Sequence, residues 1–425
     1  MEVMSNEEKR QQRQRTRFIN KSTYVSVKYL RRLSELKGMP ENAKYFMNIL
    51  ENVFANMNDI YKEEGSKTVG TYCVMVPSEL IYAAGAIPIK SCSGSYTAFN
   101  VGDEVAPRDA CPVIKSIIGF QESNCMPVYN NCDLMVVPTT CDCKKKLGYL
   151  LKEYKDVLTL HIPTSKKDDE SIEYYMKDLF NLKEKLEDIT GQRITASRLR
   201  SSIEMIAETQ YEISRFYELK KENLSVIKGS HALAIMNSYS YDRADRWGRA
   251  LKLLNDELEM NLERGKTVSK SKNPRIMITG SPIVFPNIKI PLLIEEMGGI
   301  LVADETCMGE RSMYDPVVVV DNSFNGMMRA LARRYVLPCS CPTFVDNKQR
   351  IYKIKQMIKE NQVEGVVYHV LRGCLVYDYE YSILEEALSE MGIPIIRLES
   401  DYNEEDIEQL RIRIEAFIEM IKFKK

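Results

Sequence analysis

The sequence predicts an α/β fold with two Rossmann-like (flavodoxin-like) open parallel-sheet domains, an N-terminal helical region and a helical middle segment. Two stretches of the chain alternate short β-rich runs with helical segments, which is typical of βαβ units. In addition, 425 residues are too many for one compact core. The predicted divisions are an N-terminal helical region (1–66), a first α/β domain (67–170), a helical segment (171–272) and a second α/β domain (273–425).

The first sixty or so residues have a helical pattern, with a basic stretch at Lys9–Arg17 and an amphipathic run at Tyr29–Tyr61. Lys and Arg (59) nearly cancel Asp and Glu (60), so the chain has no global field that would attract nucleic acid. We therefore expect the basic stretch to be a solvated helix face and expect no nucleic-acid partner.

The β-rich runs fall into two groups of four. The helical pattern between the groups extends from about Ser165 to Lys272, and a final amphipathic helix is predicted at Glu404–Ile421. The predicted strands are TYCVMV (71–76), AIPIKS (86–91), DLMVVP (133–138) and VLTLHIP (157–163) in the first group, and RIMITG (275–280), GGILVADE (298–305), EGVVYHVL (364–371) and IPIIRLE (393–399) in the second.

The chain begins without the apolar core of a signal peptide and has no run of 18 apolar residues, so we expect a cytoplasmic protein with no membrane span. A reducing compartment disfavours disulfides, and the 11 cysteines therefore indicate metal binding or redox chemistry.

The cysteines fall at similar places in the two predicted α/β domains, which indicates an internal duplication. Ligands of open parallel sheets bind beyond the carboxyl ends of the strands, so we expect these cysteines to converge on one crevice. The paired positions are Cys92, Cys111 and Cys141 in the first domain, and Cys307, Cys339 or Cys341, and Cys374 in the second.

Local context distinguishes some of these thiols. Cys111 precedes Pro112 and a helical run, so a helix N-terminus should lower its pKa and favour an anionic ligand. Cys141 and Cys374 each follow a buried-looking strand and precede a helix. We expect Cys73, inside a predicted strand, to be a small buried hydrophobic residue, and the same for Cys132 and Cys143.

Other kinds of site find less support. Zinc is possible, but paired C-x₂-C knuckles are absent and there are three histidines. The ferredoxin run C-x₂-C-x₂-C is also missing, as are a P-loop and a clean G-x-G-x-x-G after a strand. No catalytic residue is assigned.

The residues around these cysteines resemble the superfamily of 2-hydroxyacyl-CoA dehydratase and benzoyl-CoA reductase subunits. Within it, the chain is most similar to the double-cubane cluster proteins. The resemblance extends from about Gly70 to the C-terminus, outside much of the helical middle. Matching stretches include GTYCVMVPSELIYAAGAIPIKSCS, APRDACPVIKSIIGF, DLMVVPTTCDCKKKLGYL, GGILVADETCMGE, LPCSCPT and VVYHVLRGCLVYDYEYSILEEAL.

The resemblance implies an iron–sulfur cofactor. Three cysteines matching the family pattern, Cys111, Cys141 and Cys374, would bind one [4Fe-4S] cluster. A second set, Cys125, Cys307 and either Cys339 or Cys341, would complete a double-cubane [8Fe-9S] cluster, with Cys339 preferred. Cys143 replaces an expected glycine and would place an extra thiol beside the cluster.

The resemblance also implies an iron–sulfur reductase that acts on a small molecule, forms a homodimer and receives electrons from an ATP-dependent iron–sulfur activator. The alternatives are a 2-hydroxyacyl-CoA dehydratase subunit with one [4Fe-4S] cluster, and a non-enzymatic electron-storage protein. Lys144 is expected either to offset the cluster's charge or to lie on a solvated helix face. Residues expected to flank the crevice are Arg108, Ser281, His369, Arg372 and Tyr377.

Overall fold

The computed structural model describes residues 5–166, 168–222, 225–270, 272–312 and 315–424. These residues form two four-stranded parallel sheets. The strands are β1 (Thr68–Thr71), β2 (Ile87–Lys90), β3 (Leu134–Pro138) and β4 (Val157–Leu160) in the first sheet, and β5 (Arg275–Gly280), β6 (Ile300–Glu305), β7 (Gly365–Leu371) and β8 (Ile395–Ser400) in the second.

The two sheets have the same topology. Their strand orders are β2-β1-β3-β4 and β6-β5-β7-β8. The first, second, third and fourth strands of each group therefore occupy equivalent positions in their sheets. The central strands β1, β3, β5 and β7 are buried along their whole length, as expected when helices cover both faces of a parallel sheet. The predicted two-part α/β fold is confirmed.

Helices precede, separate and cover the sheets. The N-terminal region contains α1 (Asn6–Glu35) and α2 (Ala43–Leu50), which continues into a π-helical turn (Glu51–Ala55). The first lobe, built around the first sheet, adds α3 (Ser78–Ala83), α4 (Tyr96–Asp103), α5 (Pro112–Ser123), α6 (Pro127–Asn130) and α7 (Asp142–Leu150).

The helical middle contains α8 (Asp169–Thr190), α9 (Ala196–Lys221), α10 (Gly229–Ser238) and α11 (Ala244–Glu263). The second lobe, built around the second sheet, adds α12 (Lys289–Glu296), α13 (Phe324–Val336), α14 (Lys348–Glu360), α15 (Leu375–Ser389) and α16 (Ile407–Phe423). Across the described ranges, none of these helices combines the length and hydropathy that a membrane span requires.

The first sheet, the helical middle and the second lobe contribute residues to one shared hydrophobic core. One buried cluster joins Val69 and Leu134 of the first sheet to Leu182 of α8 and Leu331 of α13. A helix of the second lobe therefore covers the first sheet, and this shared burial holds the lobes in contact. The division of the chain at residues 66, 170 and 272 stays a prediction.

The first strand ends earlier than predicted. Residues 71–76 were expected to form a strand, but β1 ends at Thr71 and the chain then turns towards α3, which follows Pro77. The apolar run after Thr71 resembles a strand in its composition, although Cys73 lies in the turn beyond the carboxyl end of β1. This correction changes the expected role of Cys73.

Candidate functional site

A cavity of about 200 Å³ lies between the two lobes, beyond the carboxyl ends of their strands. Thiols dominate its chemistry, because eight of the 11 cysteines line it. Apolar side chains such as Val113, Ile114 and Val284 complete the wall and limit access of water. The eight cysteines are Cys73, Cys92, Cys111, Cys141 and Cys143 from the first lobe, and Cys307, Cys341 and Cys374 from the second.

Three of these cysteines occupy equivalent positions at helix N-termini. Cys111, Cys141 and Cys374 are the N-cap residues of α5, α7 and α15, and none of their side chains makes a capping hydrogen bond. The free N–H groups of a helix N-terminus carry partial positive charge. The cavity therefore faces three helix ends that favour a negatively charged occupant.

Cys111 and Cys374 connect the lobes through a hydrogen bond between their thiols. That bond, together with burial, raises the pKa of Cys111 well above its ordinary value. The lowered pKa expected for Cys111 from its helix position is therefore wrong. The same bond and one from Ser281 stabilise the Cys374 thiolate and lower the pKa of Cys374 to about 7.

The Cys307 thiol belongs to a buried ionic network on the second lobe. Arg311 donates from its guanidinium to the Cys307 Sγ at 3.5 Å and also to the Tyr377 hydroxyl, which lies 3.5 Å from the same Sγ. Although burial opposes ionisation, the guanidinium groups of Arg311 and Arg350 lower the pKa of Glu305 to about 2. This network fixes the Tyr377 hydroxyl at the cavity wall and holds the Arg311 guanidinium against the Cys307 thiol.

Two lysines from the first lobe also line the cavity. Lys90 is the last residue of β2, and Lys144 lies in the first turn of α7. The Lys144 Nζ donates a hydrogen bond to the Tyr72 carbonyl oxygen at 2.6 Å. Lys144 is therefore not on a solvated helix face, and its ammonium group lies among the thiols.

Cys125 and Cys339, both expected at the site, do not line the cavity. Helix α5 begins at the cavity with Cys111 and carries the chain about 18 Å away over its 12 residues, so Cys125 lies in the following turn beside α1. Cys339 packs against the core beneath the first sheet, where burial raises its pKa to about 11. Cys341 lines the cavity instead.

Cys73 and Cys92 are at the cavity although no ligand role was predicted for them. Cys92 follows β2 and matches Cys307 after β6, and it lies in the crevice where the internal duplication predicted it. Cys143 also lines the cavity, whereas Cys132 is buried elsewhere and hydrogen-bonds to the Val128 carbonyl, as expected for a small hydrophobic residue.

The five expected flanking residues divide into two groups. Tyr377 lines the cavity and Ser281 hydrogen-bonds to Cys374. Arg372 is exposed and pairs with an aspartate outside the cavity, and burial lowers the pKa of His369 to about 3 where it contacts Ser400. Neither these two residues nor Arg108 lines the cavity.

The donor set has the chemistry that an iron–sulfur cofactor requires. In the described part of the chain, no three Cys, His, Asp or Glu side chains are close enough together to hold one metal ion. The thiols instead surround a volume, which is what a cluster bound through several separate irons requires. Cysteine thiolates are also the ligands such clusters take.

Comparison with known proteins identifies relatives of this chain. The model of the family described as "HGD-D: 2-hydroxyglutaryl-CoA dehydratase, D-component" matches residues 73–421. Escherichia coli YjiM is 32% identical over 92% of this chain and 100% of its own length. The (R)-phenyllactyl-CoA dehydratase beta subunit of Clostridium sporogenes is 24% identical over 88% of this chain and 97% of its own.

One of the subunits of the benzoyl-CoA reductase of Thauera aromatica is also similar, with 24% identity over 84% of this chain and 91% of its own length. The relatives are thus components of dehydratases and of a reductase, as the resemblance predicted, and the prediction of an enzyme is confirmed at this level. Both the match of the family model across most of the chain and the identity to YjiM lead to one assignment: the chain belongs to the 2-hydroxyglutaryl-CoA dehydratase D-component family.

Proposed function

We propose that the chain is an iron–sulfur reductase that carries a double-cubane [8Fe-9S] cluster and reduces a small molecule. The observation that carries this proposal is the set of eight cysteines, from both lobes, around one cavity. A single [4Fe-4S] cluster takes about four cysteine ligands. The lining offers twice that number, which supports two linked cubanes rather than one.

The proposed ligands follow the geometry of the cavity. Cys111, Cys141 and Cys374 would hold the first cubane, and Cys307 and Cys341 would hold the second together with one of Cys73, Cys92 or Cys143. Cys125 is left out because it faces a different pocket. When bound, the cluster would supply low-potential electrons, while Arg311 and Tyr377 would donate hydrogen bonds beside Cys307.

The size of the cavity supports a small substrate. Its volume of about 200 Å³ is below the roughly 300–1,000 Å³ of pockets that bury drug-sized ligands, and a cluster would occupy part of it. A coenzyme A thioester would therefore have to remain largely outside. The mainly apolar wall would exclude water from the reacting molecule.

Anaerobic reconstitution followed by iron and acid-labile sulfide analysis tests this proposal. The double cubane predicts about eight irons per chain, and one [4Fe-4S] cluster predicts about four. A content of about four irons would contradict the double-cubane assignment. Reoxidation of the reduced cluster only when a small substrate is added would separate an enzyme from an electron-storage protein.

A dehydratase subunit with one [4Fe-4S] cluster is the second candidate. The family description and the phenyllactyl-CoA dehydratase relative favour it. Turnover of a 2-hydroxyacyl-CoA thioester in the presence of an activating reductase would support this function. Binding of about four irons together with that turnover would replace our first proposal.

The partners are also part of the proposal. The sequence has no P-loop, which supports electron delivery by a separate ATP-dependent iron–sulfur activator. A cytoplasmic homodimer is the assembly that the resemblance implies. Light scattering of the loaded protein would test the dimer, and ATP-dependent reduction of the cluster by a candidate activator would test the electron donor.

A further inference from the structure

Lys90 and Lys144 place the ammonium groups of two half-buried side chains on the cavity wall without carboxylate partners. Among the described residues, neither lysine is within ion-pair distance of an acidic side chain. Asp142 is the one carboxylate among the described residues that line the cavity, but its side chain is 97% exposed and pairs with Lys145 at 3.1 Å. Both lysines therefore lack a counter-ion within the described part of the protein.

Thiols from both lobes surround Lys144. Cys73, Cys92 and Cys141 of the first lobe and Cys307 of the second line the same cavity as Lys144. Its Nζ is held by the Tyr72 carbonyl oxygen at 2.6 Å, which fixes the ammonium group at the wall. Lys144 is therefore a positioned cation rather than a mobile side chain.

Lys90 adds charge of the same sign beside an overlapping set of thiols. It lines the cavity together with Cys73, Cys92 and Cys307. The three helix N-termini at Cys111, Cys141 and Cys374 contribute further positive potential. Taking cations partly out of water without a counter-ion is unfavourable, so this wall favours an anionic occupant.

We propose that Lys144, assisted by Lys90, is the counter-charge of the cluster and raises its reduction potential. This inference rests on the proposed function. A cluster gains negative charge when it is reduced, and a fixed positive charge in a poorly hydrated site stabilises the reduced state more than the oxidised state. Lys144 is a positioning residue in this view, because it acts on the cluster without being a ligand.

The test compares three full-length variants after anaerobic loading. K144Q removes the charge but keeps a hydrogen-bond donor, K144R keeps the charge, and K145Q removes the charge of the exposed neighbouring lysine on the same helix. Iron content and a redox titration followed by electron paramagnetic resonance are measured for each. We expect K144Q to shift the midpoint to a more negative potential, while K144R and K145Q remain at the wild-type value.

Each outcome either supports or overturns the role inferred for Lys144. Loss of iron from K144Q but not from K144R also supports a counter-charge, because K144R keeps the charge that K144Q removes. A wild-type potential in iron-loaded K144Q, equal shifts in K144Q and K144R, or iron loss from both would overturn the inference alone. Absence of a cluster from the wild-type protein would instead overturn the proposed function.

Discussion

A β-carbon on Gly373 would lie 2.4 Å from the carbonyl oxygen of Asp109. The two residues belong to different lobes, and each lies just before a cysteine of the cavity, Cys374 and Cys111. Gly373 also has a φ of +75°, which a residue with a side chain rarely adopts. The glycine therefore allows the two loops to approach until their thiols form a hydrogen bond.

We predict that Gly373→Ala separates these loops, destabilises the protein and lowers its iron content. Gly392→Ala is the matched control, because Gly392 has a φ of +68° but a β-carbon added there would meet nothing within 4 Å. The positive φ costs about 1–3 kcal/mol in either variant, and only Gly373→Ala adds the clash. Denaturant unfolding and iron analysis of both would measure the difference, and equal losses would contradict the prediction.

Cys341 and Cys339 should differ in their effect on cofactor binding. Cys341→Ala removes a thiol from the cavity wall and should lower the iron content of the reconstituted protein, whereas Cys339→Ala should leave it unchanged. Cys125→Ala is a second control, since Cys125 lies in another pocket. Iron loss from Cys339→Ala with retention in Cys341→Ala would reverse the assignment.

The Arg311–Glu305 ion pair should be important for stability. Their side chains are 1% and 3% exposed, so Arg311→Met leaves a buried carboxylate with one guanidinium fewer. We expect a loss of about 3–5 kcal/mol in the free energy of unfolding, as for other broken buried pairs. Arg329→Met breaks an exposed pair with Glu173 and should cost no more than about 1 kcal/mol. Chemical denaturation of the metal-free protein would compare them.

A buried acidic pair behind the second sheet predicts a pH dependence. Burial and the nearby Asp304 raise the pKa of Glu310 to about 8, and burial raises the pKa of Asp304 to about 6. Unfolded glutamate titrates near pH 4.3, so the folded protein holds the extra proton between about pH 4.3 and 8. The stability that this proton supports is therefore lost as the pH rises through that window.

Glu310→Gln should remove this loss. We expect the melting temperature of the variant, relative to wild type, to be higher at pH 8.5 than at pH 5.5. Glu415→Gln, at an exposed position on α16, is the control and should show the same difference at both values. A constant difference for Glu310→Gln would contradict the raised pKa.

Most of the fold was accessible from the sequence because buried parallel strands leave a strong signal. The prediction for β5, residues 275–280, coincides with the strand, since residues 276–278 form an apolar run shortly after Pro274, as is typical of a central strand covered on both faces. The first strand was misplaced because Tyr72 and Val76 are as apolar as a strand but belong to the turn before α3.

The site was only partly accessible. Cys111, Cys141 and Cys374 could be brought together from their places at strand ends and helix starts. Sequence spacing could not show which thiols face the cavity. Cys125, for example, lies away from it because α5 separates Cys125 from Cys111. Lys90 left no signal, because a lysine at the end of a strand is ordinarily solvated.

The two sheets have equivalent strand orders, and residues from both lobes line the cavity between them. A ligand bound by groups from both lobes binds only when the lobes are in contact. By mass action, its binding free energy stabilises the folded arrangement in which the lobes are in contact, so filling the cavity raises the stability of the whole molecule.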